Sequence, residues 1–332
     1  MSVVQFKRRQ RRPAPDVQSG LVLPTDWERP SVRWGLGTAH TVLLVLLVIV
    51  GLGPILWLAK SAITPTQDTL TQPMALFPNG FAWSNLSDAW SGSGVDVGLY
   101  LWNTIVIAFG SWLAQIIVAT TGAFALSVLR PRWGRVITAA LLTTLFVPAV
   151  VLLVPLYVEI VHPPLIGGSL INSYWAIWLP VGASAFNVIL TKRFFDNLPR
   201  EIFEAARIDG AGPFRLFVSI VLPMSKPIIG VVSIFAVLAS WKDFLWPLLV
   251  LTDVNKQPLS VRLPTIQGQT ELGVFLAAML IACIVPIIGF LIFQRTFLRG
   301  TGLSGALKGR WVDGCNRLRR RNQGLWGRHP GR

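Results

Sequence analysis

Six stretches of this chain are apolar for roughly the twenty residues that a helix needs to cross about 30 Å of hydrocarbon: 41–59, 99–129, 136–158, 171–190, 227–251 and 272–293. Lipid offers no partner to a backbone N–H or C=O, so each run has to satisfy its own groups and folds as a helix. The fold class expected is an all-α polytopic membrane protein with six transmembrane helices. A hydrophobic share of 52% against 14% charged residues, with mean hydropathy +0.57, excludes an ordinary water-soluble domain. The second run exceeds what a bilayer requires and is expected to protrude. Prolines within the runs (Pro54, Pro148, Pro155, Pro180, Pro247 and Pro286) read as kinks whose freed carbonyls find other partners.

A formal net charge of +15 would suggest a nucleic-acid binder in a soluble chain, so the position of the cations decides. One set of connections carries Arg130, Arg132 and Arg135, then Lys192, Arg193, Arg200, Arg207, Arg215 and Lys226; the alternate set carries only Lys60, Lys256 and Arg262. By the positive-inside rule both termini and residues 196–227 are cytoplasmic. Residues 1–37 form a basic, proline-broken leader with the composition of disorder. It is too long for a signal-peptide n-region, and no A-x-A site follows, so the first span is expected to remain uncleaved. Residues 310–332 form a second basic segment, with Arg319, Arg320 and Arg321 beside Trp311 and Trp326, suited to an anionic lipid surface.

Cys283 lies in an apolar run and Cys315 in the tail, which implies free thiols; His40, His162 and His329 are scattered, which implies no metal site. The connection 60–98, with Pro65, Pro73, Trp83 and Trp90, reads as loop and short helix, an outer docking surface or a cap over the bundle.

The polar interruption at 196–227 is the informative one. Pro199 suits a first helical turn, Asn197 is the candidate cap, and Glu201 and Glu204 lie near the positive end of the helix dipole, so a short helix is expected over 199–208. Gly210 and Gly212 break it, and Pro213 starts a second helix carrying Phe214, Leu216, Phe217 and Ile220. Periodicity alone leaves open a hairpin on the bilayer surface and an element that fills a partner's cleft. A DNA-reading helix-turn-helix is disfavoured by the tether at both ends and the few basic residues.

Glu204, Ala205 and Ala206, then Gly210, then Ile220, Leu222 and Pro223, resemble the signature loop of ABC importer permeases: EAA, a spaced glycine, and I-x-L-P. The run through Asp209, Gly210 and Ala211 is similar to the carbohydrate branch. Asn103-Thr104, Ala125-Leu126-Ser127, Arg193-Phe194-Phe195 and Phe244-Leu245-Trp246-Pro247 are similar to maltose-type permeases, and Gly302–Gly309 resembles the ending of the shorter permease of the pair. The resemblance implies a transmembrane domain over 38–309 with a cytoplasmic coupling helix that docks on an ATPase subunit. There Glu204 would face a basic residue, and Gly210 would let the turn pack closely. It further implies a multi-pass protein of the bacterial inner membrane, a second permease subunit in a heterodimer, two ATP-binding cassette subunits and an extracytoplasmic solute-binding protein. The solute implied is a sugar or oligosaccharide; glycerol phosphate, a polyamine or another small polar solute is the alternative.

No G-x-x-x-x-G-K-[ST] loop is present, so ATP is expected on partner subunits, with no cofactor bound here, no nucleic acid and no catalytic residue. Lys242 and Asp243 are adjacent charges inside an apolar run, which makes them candidates for a translocation path or gate. Neighbours on a helix point about 100° apart, so both serve one path only where the helix unwinds. Trp241 and Asn103 join them as candidates, although Asn103, like Gln115, Asn172 and Asn187, reads more simply as an interhelical hydrogen-bonding group. A secondary transporter would call for coupling-ion carboxylates within spans, and Asp243 alone answers.

Overall fold

Apolar sequence of this length dictates helix, and helix is what forms. The computed structural model describes residues 30–77, 79–92, 94–164, 167–289 and 291; among them there is no strand. Of the leader 1–37, residues 1–29 lie outside the described residues, as do the close of the sixth run and the tail with Cys315, while residues 30–37 are not the disorder expected of them but the first turns of α1. The chain divides into two units. The first, up to Trp57, carries most of α1 (Pro30–Ala62), with Pro54 inside it.

In the second unit, from Leu58 on, α4 (Val97–Phe124) is the element on which others pack: α7 (Trp175–Gly182), α8 (Ala185–Asp196), α12 (Lys226–Lys242) and α14 (Leu259–Ile266). Small residues on α4 permit this approach. A Cβ added at Gly110 would fall within the ring of Trp178, one at Gly122 would meet Val188 at 3.3 Å, and Gly182 of α7 lies against Ala114. Polar side chains join the same helices: Trp112 Nε1 donates to Ser233 Oγ at 2.7 Å and Asn187 Nδ2 to Gln115 Oε1 at 2.6 Å. α4 runs on through a π-helical turn, Ala125–Leu129, and ends at Arg130, whose φ of 52° is left-handed.

Several expected kinks are breaks. The third run divides into α5 (Gly134–Thr144) and α6 (Leu153–Val161, preceded by a 3-10 turn), bent by 101° around Pro148, whose backbone is extended. The fourth is not one helix over 171–190 but α7 and α8, with a break at 183–184. Pro180 cannot bond to the carbonyl of Ala176, and the indole of Trp246 donates to that carbonyl at 3.0 Å instead. The fifth breaks at Asp243 before α13 (Leu245–Val250). Among the described residues, length and composition therefore give three helices able to span on their own: Gly37–Ala62, Val97–Leu129 and α15 (Leu272–Gly289). Two bent pairs raise the number to five. The pieces of the fourth run, 8 and 12 residues, fall short.

The connection 60–98 folds as α2 (Thr66–Thr71) and α3 (Ser84–Ser91). Buried Asn85 donates to the carbonyls of Ala62 and Thr64, both at 3.1 Å, fixing α3 over the end of α1.

Candidate functional site

The polar loop folds as α9 (Arg200–Ile208), a turn, and α10 (Pro213–Leu216) running into a π-helical turn, Phe217–Val221. α9 begins without the expected cap. Pro199 takes the capping position with no side-chain bond, and Asn197 instead closes α8, its amide donating to the Arg193 carbonyl at 2.8 Å. At the other end, Gly210 adopts φ 77°; its N–H donates to Arg207 O at 3.0 Å and the N–H of Ala211 to Ala206 O at 2.9 Å. This is a Schellman ending, and it needs glycine for its left-handed backbone. A Cβ at Gly210 would meet nothing within 4 Å, so within this chain the glycine serves conformation and not close packing.

The loop has two faces. Phe203 and Ala206 of α9, with Leu216 and Val221, are buried in one cluster with Ala119 and Phe124 of α4, Val128 of its π turn, Val188 and Phe195 of α8, and Ile228 and Val232 of α12. Glu201, Glu204, Ala205 and Asp209 face outward, and Ile208 and Phe214 are 85% and 79% exposed. Ile220 is half-buried within the π turn, whose last bond runs from Leu222 N to Phe217 O. Pro223, which has no N–H to give, follows directly in the single turn α11 (Leu222–Met224), and a bend of 79° to α12 comes at Ser225.

Beside α9 lies a cleft of about 160 Å³ lined by Arg130, Asp196, Arg200, Phe203, Glu204 and Arg207, among others. Asp196 is held there on both oxygens: Ser127 Oγ donates to Oδ1 at 2.6 Å and Lys192 Nζ to Oδ2 at 2.7 Å. Burial pushes the Asp196 pKa up, but the hydrogen bonds from Lys192 and Ser127 and the charges of Lys192 and Arg130 more than offset this. Its carboxyl therefore lies below the usual aspartate range. The Lys192–Asp196 pair, four residues apart on one helix, was open to sequence reasoning, which missed it. Ser127, 69 positions away, carries no such local signal.

The other candidates fall into two groups that share no hydrogen bond. Asn103 is buried, donates to the carbonyls of Asn255 (2.7 Å) and Gln257 (3.1 Å), and accepts from the Tyr174 hydroxyl at 2.9 Å. Trp241 packs against a cluster containing Tyr100, Leu101 and Ala277. Lys242 ends α12 and is exposed, and Asp243 is half-buried and extended, its carbonyl accepting from Ser260 Oγ at 2.6 Å. The helix does unwind where the two charges meet.

A helical bundle organised on one long apolar helix, with a two-faced polar loop anchored at one end, is the architecture of an integral membrane protein, and its family makes it a transport subunit. The chain belongs to the binding-protein-dependent transport system inner membrane component family, whose pattern it matches over residues 120–301. It is 32% identical over 276 residues to the sn-glycerol-3-phosphate transport system permease protein UgpE of Pectobacterium atrosepticum, covering 81% of this chain and 96% of that one. It is 33% identical to the Salmonella typhi protein of the same name, with the same coverage. Among solved structures, it superposes with a TM-score of 0.71 and 22% identity on a bacterial ABC transporter involved in import of the acidic polysaccharide alginate, covering 81% of this chain and 98% of that one. A second alginate transporter structure, in complex with a pentasaccharide-bound periplasmic protein, gives 0.55 at 13% identity over 84% and 96%.

Proposed function

We propose that this permease subunit serves an ATP-driven importer of a sugar or oligosaccharide and couples to a cytoplasmic ATPase through residues 196–227. The observation that carries the coupling is the exposed face of the loop. Ile208 and Phe214 stand out from it, with Glu201 and Glu204 exposed among Arg200, Arg207 and Arg215, an apolar surface with charges of both signs suited to a partner's groove.

Six crossings are supported by α1, α4 with its π turn, the pairs α5/α6, α7/α8 and α12/α13, and α15; the distribution of lysine and arginine supports cytoplasmic termini. The partners are a second permease subunit, two ATP-binding cassette subunits that hydrolyse ATP, an extracytoplasmic binding protein, and lipid around the basic ends. The likeness to the alginate transporters supports a carbohydrate solute. A phosphorylated polyol is the second reading, favoured by the relatives named for sn-glycerol 3-phosphate.

Reconstitution with both permeases, the ATPase and the binding protein tests this, using labelled maltose, alginate oligosaccharide and sn-glycerol 3-phosphate as probes. ATP-dependent uptake of a sugar, abolished by Glu204→Lys with the protein still in the membrane, is the expected result. Normal uptake by that variant overturns the coupling assignment, and uptake of the phosphate ester alone overturns the sugar.

A further inference from the structure

We infer that Asp196 is a positioning residue for coupling, which ties the arm bearing α9 to the terminal turn of α4 through the Ser127 hydroxyl. The inference rests on the coupling role proposed for residues 196–227.

Asp196 closes α8, and only Asn197, Leu198 and Pro199 separate it from α9. This link is stiff: Pro199 fixes its own φ, and the Asn197 side chain is bonded back to Arg193. A displacement of α9 is therefore delivered to Asp196. There the carboxylate meets Ser127, which is 4% exposed and sits within the π-helical turn at the end of α4.

That turn is strained and is held by the same residue. Arg130 takes a left-handed backbone, unfavourable for any residue with a Cβ, and its Nε donates to Ser127 O at 2.8 Å. Ser127 thus joins α8 through its side chain and the left-handed helix ending through its carbonyl. α7, α8, α12 and α14 all pack on α4, so a movement of its end is passed to the body of the bundle.

Phe203 and Ala206 share a buried apolar cluster with Phe124 and Val128, but apolar packing is non-directional and tolerates sliding. A charge-assisted hydrogen bond fixes register. Lys192, on the partly exposed side of the carboxylate, is an ordinary i,i+4 partner of the kind that contributes little by itself.

The test compares Ser127→Thr, which keeps the hydroxyl, with Ser127→Val, which has the same shape and lacks it. Each variant is assembled with its partner permease and ATPase in lipid nanodiscs. Amide hydrogen exchange of residues 120–130 is followed with and without MgATP and vanadate, and co-purified ATPase is measured alongside. We expect wild type and Ser127→Thr to change exchange in this segment on adding nucleotide. Ser127→Val is expected to retain the ATPase yet lose that response, and Asp196→Ala to behave as Ser127→Val does. A nucleotide response in Ser127→Val equal to that of Ser127→Thr overturns the inference. A wild-type permease that retains no ATPase overturns the coupling role itself, a separate result.

Discussion

The backbone carbonyl of Ala206 accepts the N–H of Ala211 at 2.9 Å, and this bond accounts for the spacing of the loop's signature. It closes only when the residue between, Gly210, turns left-handed, so the interval from the alanines to the glycine is the interval from the last helical turn to its reversal. The same turn packs Ala211 against the buried cluster that holds Ala206. Helix end, reversal and anchoring are one piece of geometry.

Gly210→Ala should therefore destabilise the loop by about 1 kcal/mol from backbone strain alone, because its Cβ meets no neighbour. Gly210→Asn, which tolerates the left-handed region better, should lose less. Hydrogen exchange of residues 200–212 in the two variants checks the order.

The approach of α7 and α8 to α4 is governed by steric fit at two glycines of unequal tolerance, Gly110 facing α7 and Gly122 facing α8. Gly110→Ala places a methyl within the indole of Trp178, whose Nε1 is held by Ile107 O at 3.2 Å, so the ring is not free to leave. We expect a loss of about 1–3 kcal/mol, seen as a lowered thermal midpoint of the purified protein. Gly122→Ala meets only Val188 at 3.3 Å and should fall by less. Equal midpoints for the two would contradict this packing.

The helical class, the apolar runs and the two-helix loop were legible because each is written locally, in hydropathy over about twenty residues or in the Pro–Gly–Pro punctuation of 199–213. The breaks were not. Pro180 stays inside α7 and the break comes after it, at 183–184; the carbonyl of Ala176 that Pro180 leaves free is taken by Trp246, 70 positions away. Asn197 looked like a cap for α9 because asparagine caps helices, but its amide reached backward to Arg193. Asn103 was singled out for polarity alone, which does not distinguish a side chain that faces a path from one bonded to Asn255, Gln257 and Tyr174.

The Asp196 contact should depend on pH in one direction. A carboxyl whose folded pKa is depressed contributes stability above its unfolded value of about 3.9 and loses it as pH falls through the folded value. The groups facing it are Ser127, Lys192 and Arg130, with Arg200, Glu204 and Arg207 lining the cleft. Over pH 5–8 the difference in thermal midpoint between wild type and Asp196→Asn should thus stay constant, and below about pH 4 it should shrink. A difference that grows on acidification contradicts the assignment.

Asn103 admits two readings that one variant separates. As a lock it holds the segment after α13 against α4, with Thr104 Oγ1 accepting from Leu259 N at 2.9 Å one position further on. Replacing it by leucine leaves the carbonyls of Asn255 and Gln257 without a donor, at a cost of about 1–3 kcal/mol each where water is excluded. As a path residue it would contact solute, and its loss would change the concentration dependence of uptake. The bonding already uses both donors and the carbonyl oxygen of its amide, so we expect Asn103→Leu to lower the thermal midpoint and the amount of assembled transporter, while the KM for uptake per assembled complex stays at the wild-type value. A shift in KM with an unchanged midpoint would return Asn103 to the path.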